Sequence, residues 1–191
     1  MELAELSMSP LKFYSISTVI TLSTFTMAPS CKERAPSSGQ MRISSASFDD
    51  GGMIPKQYGC EGQDISPPLF IEGVPEKAKS LVLILSDPDA PSGIYIHWLA
   101  YDIPPDTIHL SQGITPQHQG FLQGQNSANR TGYKGPCPPS GIHRYRFLLY
   151  AIDQERLGLE EGANINELYG AIKGHTIADA ELLGRYQKGN P

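Results

Sequence analysis

LVLILSDPDAPSGIYIHW, residues 81–98, opens with five consecutive apolar residues, Leu81 to Leu85. A run that short, without polar alternation, suits a strand buried on both faces of a sheet. At Ser86 the chemistry changes. Asp87-Pro88-Asp89-Ala90-Pro91 sets two carboxylates two residues apart, among prolines that fix φ and supply no backbone donor. Such a segment can neither extend a helix nor pair inside a sheet, so it reads as a stiff loop leaving the strand. A second strand, Ile94 to Ile103, then carries His97 back. Two acids on a rigid turn beside a strand-borne histidine point to a site. The plainer reading is an Asp that caps its own turn and a histidine satisfied within the fold. That reading weakens as the downstream half supplies a matching piece.

The matching piece begins at GPCPPSG, residues 135–141, a rigid loop poor in backbone donors. It feeds a strand, IHRYRFLLYAID, at Ile142 to Asp153. With a period of two, His143, Tyr145, Phe147 and Leu149 share one face of that strand. By the same rule Tyr95, His97, Leu99 and Tyr101 share a face of the earlier one. Each strand therefore presents a histidine at the end next to a Pro/Gly-rich loop.

The bulk composition agrees with a loop-rich β protein. The 191 residues include 19 Gly and 16 Pro, and 18% are charged, which fits neither a helical bundle nor a disordered chain. The formal net charge is −5, and no basic stripe interrupts it. That excludes nucleic acid as a partner, because backbone binding depends on clustered Lys and Arg. The three cysteines, Cys31, Cys60 and Cys137, match no short zinc spacing.

Phe13 to Met27 is an uncharged segment, too short to span a bilayer comfortably but suited to the apolar region of a secretory signal. Ala28-Pro29-Ser30-Cys31 follows, resembling a lipoprotein cleavage box in which Cys31 becomes the lipidated first residue. Residues 1–30 are therefore expected to be a signal segment and 31–40 a flexible tether, with the folded domain at 41–191. Export to the cell envelope or periplasm follows, with a lipid anchor at Cys31 as the sole membrane contact. A cytoplasmic home is the alternative.

Within the domain, Arg42 to Phe48 reads as an edge strand and Leu69 to Ile71 as a short one. Residues 104–134 form a long excursion poor in apolar periodicity, on which His109 and His118 read as surface histidines. Asn164 or Asn166 can cap a helix through Ile165–Lys173, which Gly174 ends. A second helix is expected from Thr176 to about Gln187, with Ile177, Ala180 and Leu183, joined by Leu182, as its apolar stripe. Strands first and helices last argue for a mainly β domain with two terminal helices packed on it.

The combined motifs resemble the phosphatidylethanolamine-binding proteins, in particular the bacterial and archaeal Raf kinase inhibitor-like branch. The residues that carry the resemblance are SDPDAP at 86–91 with IHW at 96–98, and GPCPPSGIHRYRF at 135–147. IPKQYGCEGQDISPPL at 54–69 and GHTIADAELLGRY at 174–186 extend it over nearly all of the chain from Met41 onward. The resemblance implies a large antiparallel sheet packed on a smaller one, with C-terminal helices near a pocket. It also implies a pocket for a small anion, such as a phosphate or phospholipid headgroup, built from Asp87, Asp89, His97, Gly135, His143 and Tyr145. No cofactor is implied. A regulatory role by inhibition of a kinase or protease is implied as an alternative, and no general catalytic activity.

Elementary chemistry supports an anion site. Carboxylates beside a phosphate repel it, but a neighbouring carboxylate also draws a histidine toward its charged form. His97 or His143 could then meet the ligand as a cation or an N–H donor, oriented by an Asp. Gly135 would let the ligand approach the backbone, and Tyr145 would supply a hydroxyl. Acid–base hydrolysis by the Asp/His cluster ranks lower, because no serine stands in a Gly-x-Ser-x-Gly elbow. A metal held by two histidines and one carboxylate ranks with it. If Cys31 is lipidated or removed, Cys60 and Cys137 remain as an even pair in an oxidising compartment, and a disulfide between them is expected. Two buried free thiols are the alternative.

Overall fold

The computed structural model describes residues 40–117 and 120–189. The expected leader, Cys31, His118 and most of the tether lie outside the described residues. Ten elements follow one another in the chain. They are β1 (Arg42–Ser44), β2 (Gly52–Met53), β3 (Leu69–Glu72), β4 (Ser80–Asp87), β5 (Tyr95–Ile103), β6 (His109–Leu110), β7 (Leu122–Gln123), β8 (Ile142–Ile152), α1 (Ile165–Ile172) and β9 (Thr176–Gln187).

Every residue of β4 is buried. The reason is its place in the six-stranded sheet β2-β9-β8-β4-β5-β7, where β5 and β8 flank it antiparallel. β1, β3 and β6 make a second, antiparallel sheet. Ile43, Leu69, Ile71 and Leu110 of this small sheet join Leu81, Leu83, Leu85, Trp98, Phe147 and Leu149 of the large one in a single core. The opposite face of the large sheet carries Val82, Ile84, Leu99 and Tyr101, which pack with Leu168 and Ile172 of α1. One sheet thus has apolar cover on both faces, which is why Leu81–Leu85 carries no polar alternation.

The C-terminal reading needs correction. α1 forms where expected, with a capping box in which the Asn164 side chain accepts from the Asn166 and Glu167 N–H groups and Glu167 reaches back to the Asn164 N–H. The second helix does not exist: Thr176–Gln187 is β9, paired with β8 along its whole length. Leu182, Gly184 and Tyr186 are buried while Glu181 and Arg185 are not, a period of two. Gly184 fits this close-packed place because a Cβ there would run into Ile54. Ala, Leu and Glu favour helices locally, but the open edge of β8 outweighs that weak preference.

The faces of β5 also differ from strict alternation. Pairing with β4 slips between Leu85↔Trp98 and Ser86↔Ile96, so His97 is the extra residue of a bulge. A second slip lies between Leu81↔Ile103 and Leu83↔Ala100, around Asp102 at φ 56°. Tyr95, His97, Leu99 and Tyr101 therefore do not share a face. Leu99 and Tyr101 join the helix side with Ile96, whereas Trp98 and Ala100 join the inter-sheet core.

Leu83 is fully buried between Ala100 and Leu149 on neighbouring strands. Leu83→Ala should cost roughly 2–5 kcal/mol in a denaturant titration, the range for a large-to-small change in a packed core. A loss under about 1 kcal/mol would contradict the burial described.

Candidate functional site

The site grows from the end of β4. Asp87 is 3% exposed, so its carboxylate must find donors within the protein. Oδ1 accepts from the Asp89 backbone N–H at 2.8 Å, fixing the turn into the DPDAP loop. Oδ2 pairs with His143 Nδ1 at 2.8 Å, because β8 runs on past the end of β4. A carboxylate accepts only, so His143 Nδ1 carries the proton and Nε2 is left free. Asp89 turns the other way. It accepts from the backbone N–H, Nε and Nη2 of Arg144, and that guanidinium holds its carboxyl down at about 2.

His97 is fixed from the opposite wall. Its Nδ1 donates to the Lys134 carbonyl at 2.7 Å, and the Lys134 N–H donates to the His97 carbonyl at 2.8 Å. Its ring lies tilted by 50° against Tyr95, with centroids 4.8 Å apart, and meets Tyr145 edge-on at 5.2 Å. Burial pulls the His97 pKa below its ordinary value, more than the Lys134 carbonyl and Asp87 raise it. The expectation of a histidine drawn toward its charged form by a carboxylate is therefore reversed here: desolvation wins.

The wall from Tyr133 to Pro139 is stitched to the segment 58–64. Cys60 and Cys137 are joined by a disulfide, with Cα atoms 5.4 Å apart. The Tyr133 hydroxyl donates to the Tyr58 carbonyl, and the Cys60 N–H to the Pro136 carbonyl. Asp64 accepts from the Gly135 N–H through Oδ1 and from Lys134 Nζ, at 3.0 Å, through Oδ2.

Between this wall and the DPDAP loop lies a cavity of about 220 Å3. Asp87, His97, Gly135 and His143 line it; Asp89 and Tyr145 do not. Asp89 is spent on Arg144. Tyr145 is fully buried, and among the described residues its hydroxyl makes no hydrogen bond of good geometry, although Asp87 and the Cys137 backbone lie close to it. Burial, and then the nearby Asp87, push that hydroxyl's pKa well above its usual value. Gly135 is glycine for a different reason from the one expected. A Cβ there would meet the Tyr58 carbonyl and the Asp64 carboxylate, so the constraint is protein packing. Tyr95 and Lys134, neither of them among the six residues the resemblance implies, also line the cavity. The signal for Lys134 was its place directly before Gly135, where the long excursion meets the rigid loop. Among the described residues, no group of three His, Cys, Asp or Glu could hold a metal ion.

A two-sheet β fold with one cavity between a proline-rich loop and a disulfide-tied wall defines the class. Residues 44–187 match the sequence profile described as phosphatidylethanolamine-binding protein. A UPF0098 protein of Methanothermobacter thermautotrophicus is 46% identical over 152 residues, 78% of this chain and 100% of its own length. The crystal structure of a phosphatidylethanolamine-binding protein homologue from Chlamydia trachomatis matches with a TM-score of 0.74 and 45% identity. It covers 79% of this chain and 99% of that one. YbcL of E. coli, described as a member of the mammalian family of that name, matches with a TM-score of 0.72 and 28% identity over 78% and 99% of the two chains. This chain belongs to the phosphatidylethanolamine-binding protein family.

Two outcomes follow from this geometry. The Cys60→Ser/Cys137→Ser double variant should lose up to roughly 4 kcal/mol in denaturant midpoint experiments, since the bond closes a long loop in the unfolded chain. A histidine NMR titration should place the His97 midpoint below the ordinary value of about 6.5. The unfolded chain then binds the extra proton, so His97 must weaken the fold as pH falls below that value. A midpoint above 6.5 would contradict the burial argument.

Proposed function

We propose that this protein binds small phosphate-bearing anions in the cavity between the DPDAP loop and the 133–139 wall. The observation that carries the reading is the pair His97 and His143. Both line one cavity, each with Nδ1 already committed, to the Lys134 carbonyl and to Asp87. Each Nε2 has no partner among the described residues, which leaves two oriented ring nitrogens for a ligand. A neutral His97 offers a lone pair, and a hydrogen phosphate answers it with an O–H while its other oxygens accept. Once protonated, the same nitrogen becomes a cationic donor. Asp87 does not repel the anion outright, because both of its oxygens already accept hydrogen bonds.

Binding fits the site better than catalysis. Among the described residues, no serine or free thiol is hydrogen-bonded to either histidine, so the arrangement lacks an activated nucleophile. A lipid headgroup and a free phosphate ester present the same chemistry to it. An inhibitory role toward a kinase or protease would use this pocket or the surface around it.

Calorimetry with inorganic phosphate and phosphoethanolamine tests the proposal. Both should bind, and His143→Ala should abolish the signal; undiminished binding would remove the site. Because burial lowers the His97 pKa, its cationic form appears only below about pH 6.5. Affinity for sulfate, whose charge is constant over this range, should therefore rise as pH falls below about 6.5. A flat profile would show that His97 does not meet the anion as a cation.

A further inference from the structure

Among the described residues, Lys134 is the one Lys or Arg that lines the cavity. The other charges there are already matched within the protein: Asp87 faces His143, and the neighbouring Asp89 faces Arg144 outside the cavity. Lys134 is held differently. Its backbone is clamped to His97 through both N–H and carbonyl, so the root of the side chain is fixed to the same wall as the candidate ligand contact. Its ammonium, at the end of a flexible four-carbon stem, meets only Asp64, in a pair whose side chains are 27% and 36% exposed.

We propose that Lys134 is a second, cationic anchor for the ligand, which makes the cavity selective for phosphate esters that carry a further negative group such as a carboxylate. This rests on the anion-binding reading above and names its ligand class. Three observations converge. Partly exposed ion pairs hold weakly, so a ligand can recruit the ammonium away from Asp64. Asp64 is not orphaned by that move, because its other oxygen keeps the Gly135 N–H. The cavity is also larger than one small anion needs. About 220 Å3 equals roughly seven times the ~30 Å3 share of a liquid water, which leaves space beyond a phosphate seated on the two histidines. The bare phosphate then engages the histidines, and the distal carboxylate reaches Lys134. A singly anionic ester gains nothing from the lysine, and an ester ending in an ammonium is repelled by it.

The test compares O-phospho-L-serine with phosphoethanolamine, which lacks the carboxylate, and with inorganic phosphate, by calorimetry at one ionic strength. In the unaltered protein phosphoserine should bind at least tenfold tighter than phosphoethanolamine. Lys134→Met and Lys134→Gln should each bring that ratio to within about threefold of one while inorganic phosphate still binds. Using the ratio cancels any general loss of affinity in a variant, and retained phosphate binding shows that each variant is folded. A ratio near one in the unaltered protein, or one that survives both substitutions, overturns the role of Lys134 and leaves the anion site standing. Failure of all three probes overturns the site and the anchor together.

Discussion

A carboxylate at the end of an otherwise apolar buried strand has to be satisfied, and the way Asp87 is satisfied organises the pocket end of the molecule. One oxygen bends the chain into the DPDAP loop through the Asp89 N–H. The other draws in His143 from the overhang of β8. Breaking such a buried pair by removing one partner leaves the other uncompensated, which costs far more than the net worth of the pair. The Arg144–Asp89 contact beside it is a partly exposed copy of the same stitch and adds geometry more than energy. The end of β4 thereby locks a loop and a strand at fixed positions, and the cavity is what remains between that lock and the wall on the other side.

The opposite wall solves a different problem. Residues 133–139 contain three prolines, Pro136, Pro138 and Pro139, which supply no backbone N–H for a ladder, so the segment leans on its neighbours. A disulfide, two carboxylate contacts from Asp64 and the Tyr133 hydroxyl hold it to residues 58–64. Its carbonyl at Lys134 in turn sets the tautomer of His97. Residues 58–64 do not themselves line the cavity, yet through Lys134, Gly135 and Cys137, which do, they help set where the His97 lone pair stands.

Much of this was legible from the chain. The apolar run at 81–85 is the buried centre of the large sheet, and the histidine end of the strand read at 142–153 is the overhang that reaches the site. Asn164 and Gly174 bound the helix as expected, because capping is a local matter. β9 was misread because its pattern satisfies two periods at once: Ile177, Ala180 and Leu183 suit a helix, Leu182, Gly184 and Tyr186 a strand. Only the vacancy beside β8 decides between them, and that is not a local property. Where residue type dictated geometry, the expected neighbours meet at one cavity, as Asp87 and His143 do. Where third parties intervened, the arrangement differs from the expected one: Arg144 takes Asp89, the Tyr58 carbonyl explains Gly135, and burial reverses the expected shift of His97.

The bulge at His97 has a bearing on how such a site can vary over time. His97 is the surplus residue between Ile96 and Trp98, so the strand resumes register at Trp98 whatever the path before it. Trp98 is anchored independently, through its indole N–H to Gln123. The loop from Ala90 to Ile94 can therefore gain or lose residues without sliding Trp98–Ile103 along β4. Changes in loop length would reshape the mouth of the cavity while the histidine at its floor kept its hold on Lys134. Variation in the size of the cavity is thus uncoupled from the integrity of the sheet.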